Sequence, residues 1–263
     1  MRSYFTSLLT PALLALTLTA SAQSSRRQDD GDLTERKNLL KINVPAIALN
    51  NYSFQYERAI GKKISAGLGF RFMPKTGLPL KGTLETVIDD EETWDKLKAL
   101  KTSNTAITPE VRFYFGKSVF RGFYLAPFAK FATYKADLPE FDYTVEYTDP
   151  SHGISISRTE EIPLSGDLKT ITGGLLIGAQ WKLSKLLYLD WWILGPQYGS
   201  SKGHLKGTKQ LDQYEQQAVR QELEDLDIPI VDSEVHVDGN GARMDLKGPW
   251  TGLRAGLALG VRF

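Results

Sequence analysis

The sequence predicts an all-β protein, an eight-stranded antiparallel transmembrane β-barrel with long external loops that carry short helices and hairpin extensions. Three observations lead there. Apolar and polar residues alternate with period two in segments of about ten residues. One face of each segment is apolar while the other collects glycine and charge. The connections between segments alternate short and long, as they do in barrels with tight periplasmic turns and extended outer loops.

Residues 1–22 read as an export leader: Arg2, an apolar stretch from Leu8 to Ala20, then the small-residue sequence Ala20-Ser21-Ala22 as the cleavage site. Residues 23–37 are Ser, Arg, Gln, Asp and Gly with almost nothing apolar, and so predict a flexible tail that cannot offset its own ordering entropy. Residues 38–263 then form the barrel domain.

Eight segments alternate: Leu39 to Leu49, Tyr52 to Ile60, Ile64 to Met73, Thr105 to Phe115, Phe123 to Tyr134, Thr170 to Trp181, Leu187 to Tyr198 and Trp250 to Phe263. In the last, Leu253, Leu257, Leu259, Val261 and Phe263 share one face, and Gly252, Arg254, Gly256, Gly260 and Arg262 share the other. A soluble sandwich or lipocalin-like barrel alternates too, so the polar face decides which way each side points. A solvated outer face has no reason to prefer glycine, whereas the lumen of eight strands is narrow enough to crowd out bulk. The apolar face is therefore expected to meet lipid. The lumen is expected to hold a charge network of Lys41, Glu57, Arg71, Glu110, Arg112, Lys130, Asp190, Arg254 and Arg262 that plugs the barrel, since buried charges must pair.

Charge sorts by end. The short turns hold Lys62, Lys63, Lys117, Arg121, Lys182 and Lys185 and no acid, whereas residues 135–167 carry eight acids against Lys135 and Arg158. Aromatics placed near segment ends, Tyr52, Tyr56, Phe115, Phe123, Trp181, Tyr188, Trp191, Tyr198 and Trp250, are expected to form interfacial girdles.

The long loops carry their own signals. Asp89 to Glu92 before Trp94, Leu97 and Leu100 predicts a short helix, and Lys209 to Asp225 a second, with Leu211, Tyr214, Ala218 and Leu223 on one side. Phe141, Tyr143, Val145 and Tyr147, followed by a turn and by Ile154 and Ile156, predict a hairpin that prolongs the fifth and sixth segments. Val235, Val237 and Met244 around Asp238-Gly239-Asn240-Gly241 predict another. Counting these as spanning strands would give ten or twelve.

Composition limits the chemistry. With 32 basic against 31 acidic residues the net charge is +1, which argues against nucleic acid as a partner. Cysteine is absent, which removes thiolate sites and disulfides, and the three histidines, His152, His204 and His236, all fall in long loops. Asp149, Ser151 and His152, or Glu234, His236 and Asp238, are the available constellations for a rim enzyme. Sequence neighbours on a strand point to opposite faces and make poor triads. No catalytic, cofactor or metal site is expected.

The residues Asn38-Leu39-Leu40-Lys41-Ile42-Asn43 and Tyr56-Glu57-Arg58-Ala59-Ile60-Gly61 resemble the opening hairpin of small outer-membrane barrels of Bacteroidota whose role is undefined. Leu257, Leu259, Val261 and the terminal Phe263 resemble the C-terminal signal read by the barrel-assembly machinery. The resemblance implies an OmpA-like or OmpW-like eight-stranded barrel in the outer membrane of a Gram-negative bacterium. Its partners would be outer-membrane lipid, periplasmic chaperones and the assembly machinery, and it would be a monomer. It carries over no catalytic residue, and, in contrast to full-length OmpA, a peptidoglycan-binding segment after Phe263 is not expected. The expected role is structural, surface-contact or small-ligand binding, with a narrow OmpW-like conduit and a rim-sited lipid- or peptide-modifying enzyme as the alternatives.

Overall fold

A computed structural model describes residues 36–78, 81–82, 86, 94, 97–149, 154–226 and 230–263. The leader, most of the tail, and the candidate residues Ser151 and His152 lie outside the described residues.

The elements follow in the order β1 (Asn38–Asn43), α1 (Val44–Ala48), β2 (Tyr52–Ala59), β3 (Ile64–Gly77), β4 (Lys101–Tyr114), β5 (Gly122–Asp149), β6 (Ile154–Lys182), β7 (Leu187–Thr208), α2 (Gln213–Glu224), β8 (Asp232–Asp238) and β9 (Gly241–Arg262). Every strand pairing is antiparallel. The sheet runs β1-β2-β3-β4-β5-β6-β7-β9 and closes on itself through β1–β9, with β8 attached outside the ring to the far end of β9. Eight strands therefore make the ring. The middle hairpin adds no strand, because it is the continuation of β5 and β6 to the pair Asp149–Ile154.

Burial follows the expected facing. Along β9, Leu253, Leu257, Leu259 and Val261 are exposed, while Ala258 and Gly260 between them are buried. The same alternation holds in β3 and β4, where Leu68, Phe70, Ile107, Val111 and Phe113 point outward and Ser65, Thr108, Glu110 and Arg112 point inward. Inward glycines make room for bulk: a Cβ on Gly67 would lie 2.9 Å from Cγ of Glu110, and one on Gly260 2.7 Å from Cγ of Lys41.

Four expectations are corrected. The first segment does not run to Leu49, because β1 stops at Asn43 and α1 follows. The Asn43 side chain caps that helix by accepting from the Ala46 amide, and proline occupies the first turn. The tail ends sooner than residue 37: the Arg36 carbonyl accepts from Arg262 Nε at 2.7 Å and the Lys37 carbonyl accepts from the Ala59 amide at 2.8 Å. Tyr188 is no girdle residue; it is 1% exposed, inside the ring with Asp190 and Trp192, as its even-numbered place in β7 requires. Tyr214 is exposed on α2, whose buried stripe is Glu215, Val219 and Leu223 at four-residue spacing. The expected helix after Asp89 is described only at Trp94 and at 97–99, all helical.

Two separate cores result. One fills the ring at the short-turn end, where Phe120 and Tyr114 pack with Tyr124, Leu176, Tyr188 and Trp192. Phe120 reaches it from a turn in which it adopts φ 65° and Gly122 φ 87°. The other lies beyond the ring, where Tyr143, Val145, Ile162 and Leu164 of the prolonged β5–β6 hairpin pack against Leu211, Val219, Leu223 and Ala242. A capping box between Asp212 and Glu215 starts α2 on that surface.

Candidate functional site: the charged lumen

Inward alternation brings titratable side chains of several strands together inside the ring. Arg112 of β4 is at the centre and fully buried. Its Nη1 donates to Asp190 Oδ2 at 2.7 Å and Gln180 Oε1 at 3.2 Å, its Nη2 donates to Gln55 Oε1 at 2.8 Å, and its Nε donates to Glu110. Glu57 lies 3.4 Å from the same Nη1. Lys41 of β1 closes the far side by pairing with both Glu57 and Asp190. Arg254 of β9 pairs with Glu110 through Nη1.

Aromatic hydroxyls complete the set. Tyr114 donates to Glu57 at 2.6 Å, Tyr124 donates to Asp190 Oδ1 at 2.8 Å, and Trp192 Nε1 donates to Asp190 Oδ2 at 3.0 Å. The Arg112 guanidinium stacks 4.3 Å over the Tyr124 ring, and Arg254 lies 4.4 Å over Trp192. Lys41, Arg112 and Arg254 thus balance Glu57, Glu110 and Asp190, three charges against three. A network bonded across the lumen in this way is a plug: an ion passing along the axis would have to break several charge-assisted bonds at once.

Three of the nine expected lumen charges stand apart. Arg262 lies at the short-turn end, donating to the Tyr188 hydroxyl at 2.9 Å. Arg71 and Lys130 lie on the opposite side of the network, where the Tyr134 hydroxyl accepts from Lys130 at 3.0 Å and also bonds Arg71. Sequence reading missed Gln55, Tyr124 and Gln197 as lumen residues. Each sits at an inward position of its strand, and the inward alternation of β2, β5 and β7 was the available signal.

The outer lobe has its own polar cluster. Lys209 donates to Glu160 at 2.9 Å and to the Tyr143 hydroxyl at 2.8 Å, and Arg158 lies 3.4 Å from Glu215. Burial, the largest influence, pushes the Lys209 ammonium down, yet the bonds to Tyr143 and Glu160 hold it above its ordinary value. The Lys209 hydrogen bond and charge hold Glu160 below the usual carboxylate range. His204 Nδ1 lies 2.9 Å from Asp167 and His236 Nε2 lies 3.4 Å from Glu234, both pairs partly exposed to water. Asp238 accepts from the Asn240 amide at 2.7 Å, which engages that carboxylate in shaping its own turn. Among the described residues no three His, Asp or Glu side chains converge as metal ligands. The four residues expected to form the assembly signal, Leu257, Leu259, Val261 and Phe263, are exposed together along one outward line.

No curated protein and no solved structure matches the chain. The family model described as "Protein of unknown function (DUF3575)" matches residues 9–217. The chain belongs to that family, whose fold in this member is a closed ring of eight antiparallel strands.

Proposed function

We propose that this chain is an integral outer-membrane β-barrel, exported behind a cleaved leader, with a plugged lumen and a surface lobe that makes contacts outside the cell rather than performing catalysis. One observation carries the reading: around the ring, large apolar side chains are exposed outward while charges are sealed inside. Leu40, Leu68, Phe70, Ile107, Phe113, Phe131, Ile171, Leu175, Leu194 and Leu257 are each between 39 and 59% exposed, whereas Lys41, Glu57, Arg112 and Asp190 are at most 2% exposed. A ring in water would leave this continuous apolar belt unpaid for by any contact, whereas lipid accepts it.

Three further features support it. The short turns are basic and acid-free, Phe115, Phe123, Trp181 and Trp191 are exposed near strand ends as interfacial aromatics are, and the outward line ending at Phe263 fits recognition by the barrel-assembly machinery. Periplasmic chaperones and outer-membrane lipid are the remaining partners in this reading, with the protein a monomer and nucleic acid no ligand. The bonded network argues against an axial OmpW-like conduit. The OmpA-like and Bacteroidota affinities rest on the opening-hairpin residues quoted above.

The test is heat-modifiable migration of protein from fractionated membranes, with protease added to intact cells. A detergent-dependent, heat-shifted band that protease clips within 135–167 or 209–247 is the expected result. A water-soluble protein with no shift would overturn the reading.

A further inference from the structure

The balanced network leaves three lumen cations over; Arg262 lies at the short-turn end, and the other two line one cavity. Arg71 and Lys130, with Arg254 beside them, face a space of about 250 Å³ on the α1 side of the network. No carboxylate is among the described residues lining it, and its remaining polar lining is Asn43, Asn51, Ser53, Thr108 and Gln197. Lys130 is 9% exposed, and its ammonium is bonded only to the Tyr134 hydroxyl among the described residues. Arg71 Nε is buried with no hydrogen-bond partner. Two cations held close together in a confined space, with donor capacity unused, repel one another unless an anion sits between them.

The wall at this height is open. β1 ends at Asn43 opposite Ala258, and β2 begins at Tyr52 opposite Phe72, while β3 and β9 both run on past them. Among the described residues, 248–257 of β9 accordingly have a strand partner only on the β7 side. α1 lies over this gap, and the cavity lining joins the inward cations to Phe70 and Leu253, which are exposed on the outer face. A ligand can therefore reach the cations from the side of the barrel.

We propose that this cavity is a binding site for an oxyanion of the phosphate class, held by Arg71 and Lys130 with Arg254 as the third cation, and reached through the gap beside α1. Inorganic phosphate or a phosphate monoester is largely a dianion at pH 7.5, matches the charge of Arg71 and Lys130, and offers acceptors to the unbonded Arg71 Nε and to the ammonium. The same chemistry has two sources, a free phosphate or the headgroup of an amphiphile whose chain would leave over Phe70 and Leu253. The site requires only the ring, and its access from lipid rests on the membrane reading above.

The experiment uses the full chain, folded in an uncharged alkyl-maltoside detergent and verified by its heat-shifted band, titrated calorimetrically with inorganic phosphate and separately with hexyl phosphate at pH 7.5. Binding that falls by about tenfold or more in the Arg71→Gln/Lys130→Gln variant, and not in Lys63→Gln, is expected, since each lost charge-assisted bond is worth roughly a decade in affinity. Equal affinity for the two probes would assign the site to free phosphate, and tighter hexyl phosphate would assign it to a headgroup entering from the side. No binding of either probe to heat-shiftable protein, or binding that the double variant retains, would overturn the proposal. Such a failure is separate from failure of the membrane reading, which the fractionation experiment registers by itself.

Discussion

Replacing Arg112 with methionine removes the side chain through which the lumen network is joined. The guanidinium meets Glu110, Asp190 and Glu57, donates to Gln55, and stacks on Tyr124, with no exposure to water. Its loss leaves Glu57, Glu110 and Asp190 facing only Lys41 and Arg254, one buried negative charge in excess. Breaking a buried ion pair on one side costs about 3–5 kcal/mol because the partner left behind is uncompensated. The compensated variant Arg112→Met/Asp190→Asn leaves two intact pairs, Lys41–Glu57 and Arg254–Glu110. It should recover roughly half or more of that loss, a coupling of about 1–3 kcal/mol between neighbours of one network. The assay is urea unfolding of the refolded barrel in lipid vesicles, followed by tryptophan fluorescence, with the heat-shifted band counting folded protein. A single variant that costs under about 1 kcal/mol, or a double variant whose loss equals the sum of the two singles, would refute the network as the source of lumen stability.

Gly67→Val should overpack the lumen, because the new Cβ falls on Glu110; a loss of about 1–3 kcal/mol in the same unfolding assay is expected. Leu223→Ala, in the core of the outer lobe, should cost about 2–4 kcal/mol locally, seen as faster protease cleavage near α2 with the heat-shifted ring band unchanged. Deleting Phe263 should lower the yield of membrane-assembled protein, and unchanged yield would count against an assembly signal there. The outer lobe should also loosen at both pH extremes. Glu160 titrates below its ordinary 4.5, so its contribution is present above that value and fades as pH falls through the depressed one; Lys209 titrates above 10.5, so its contribution is present below 10.5 and fades as pH rises past the raised one. Hydrogen exchange in 209–224 across pH 3 to 11 reads this out, and a flat profile would contradict it.

The ring and its facing were legible because two kinds of residue sort by parity: large apolar side chains on one face, glycine and charge on the other. That signal survives even where strands run far past the outward apolar belt, as β5 and β6 do. α1 was not read, since Val44 to Ala48 is an apolar run that continues the strand before it and is too short to show a helical period; the Asn43 cap and Pro45 were the only local clues. Tyr188 was misassigned because closeness to a segment end was allowed to outweigh parity. Which acid pairs with which base depends on strand register, and the register of β1 on β9 and the meeting of β4 with β7 across the lumen are set by closure of the whole ring. The same dependence hid the cavity, since Arg71, Lys130 and Arg254 come from three strands and meet only when it closes.

The outward face of β9 gives the most direct test of the account. The chain contains no cysteine, so single Gly256→Cys, Leu257→Cys, Ala258→Cys, Leu259→Cys, Gly260→Cys and Val261→Cys variants each carry one site for a spin label. In phospholipid vesicles the account predicts period two: labels at 257, 259 and 261 relaxed by oxygen from the lipid, and those at 256, 258 and 260 shielded from it. Labels at 257, 259 and 261 relaxed instead by a water-soluble nickel chelate, or no alternation at all, would contradict the placement of the apolar face against lipid.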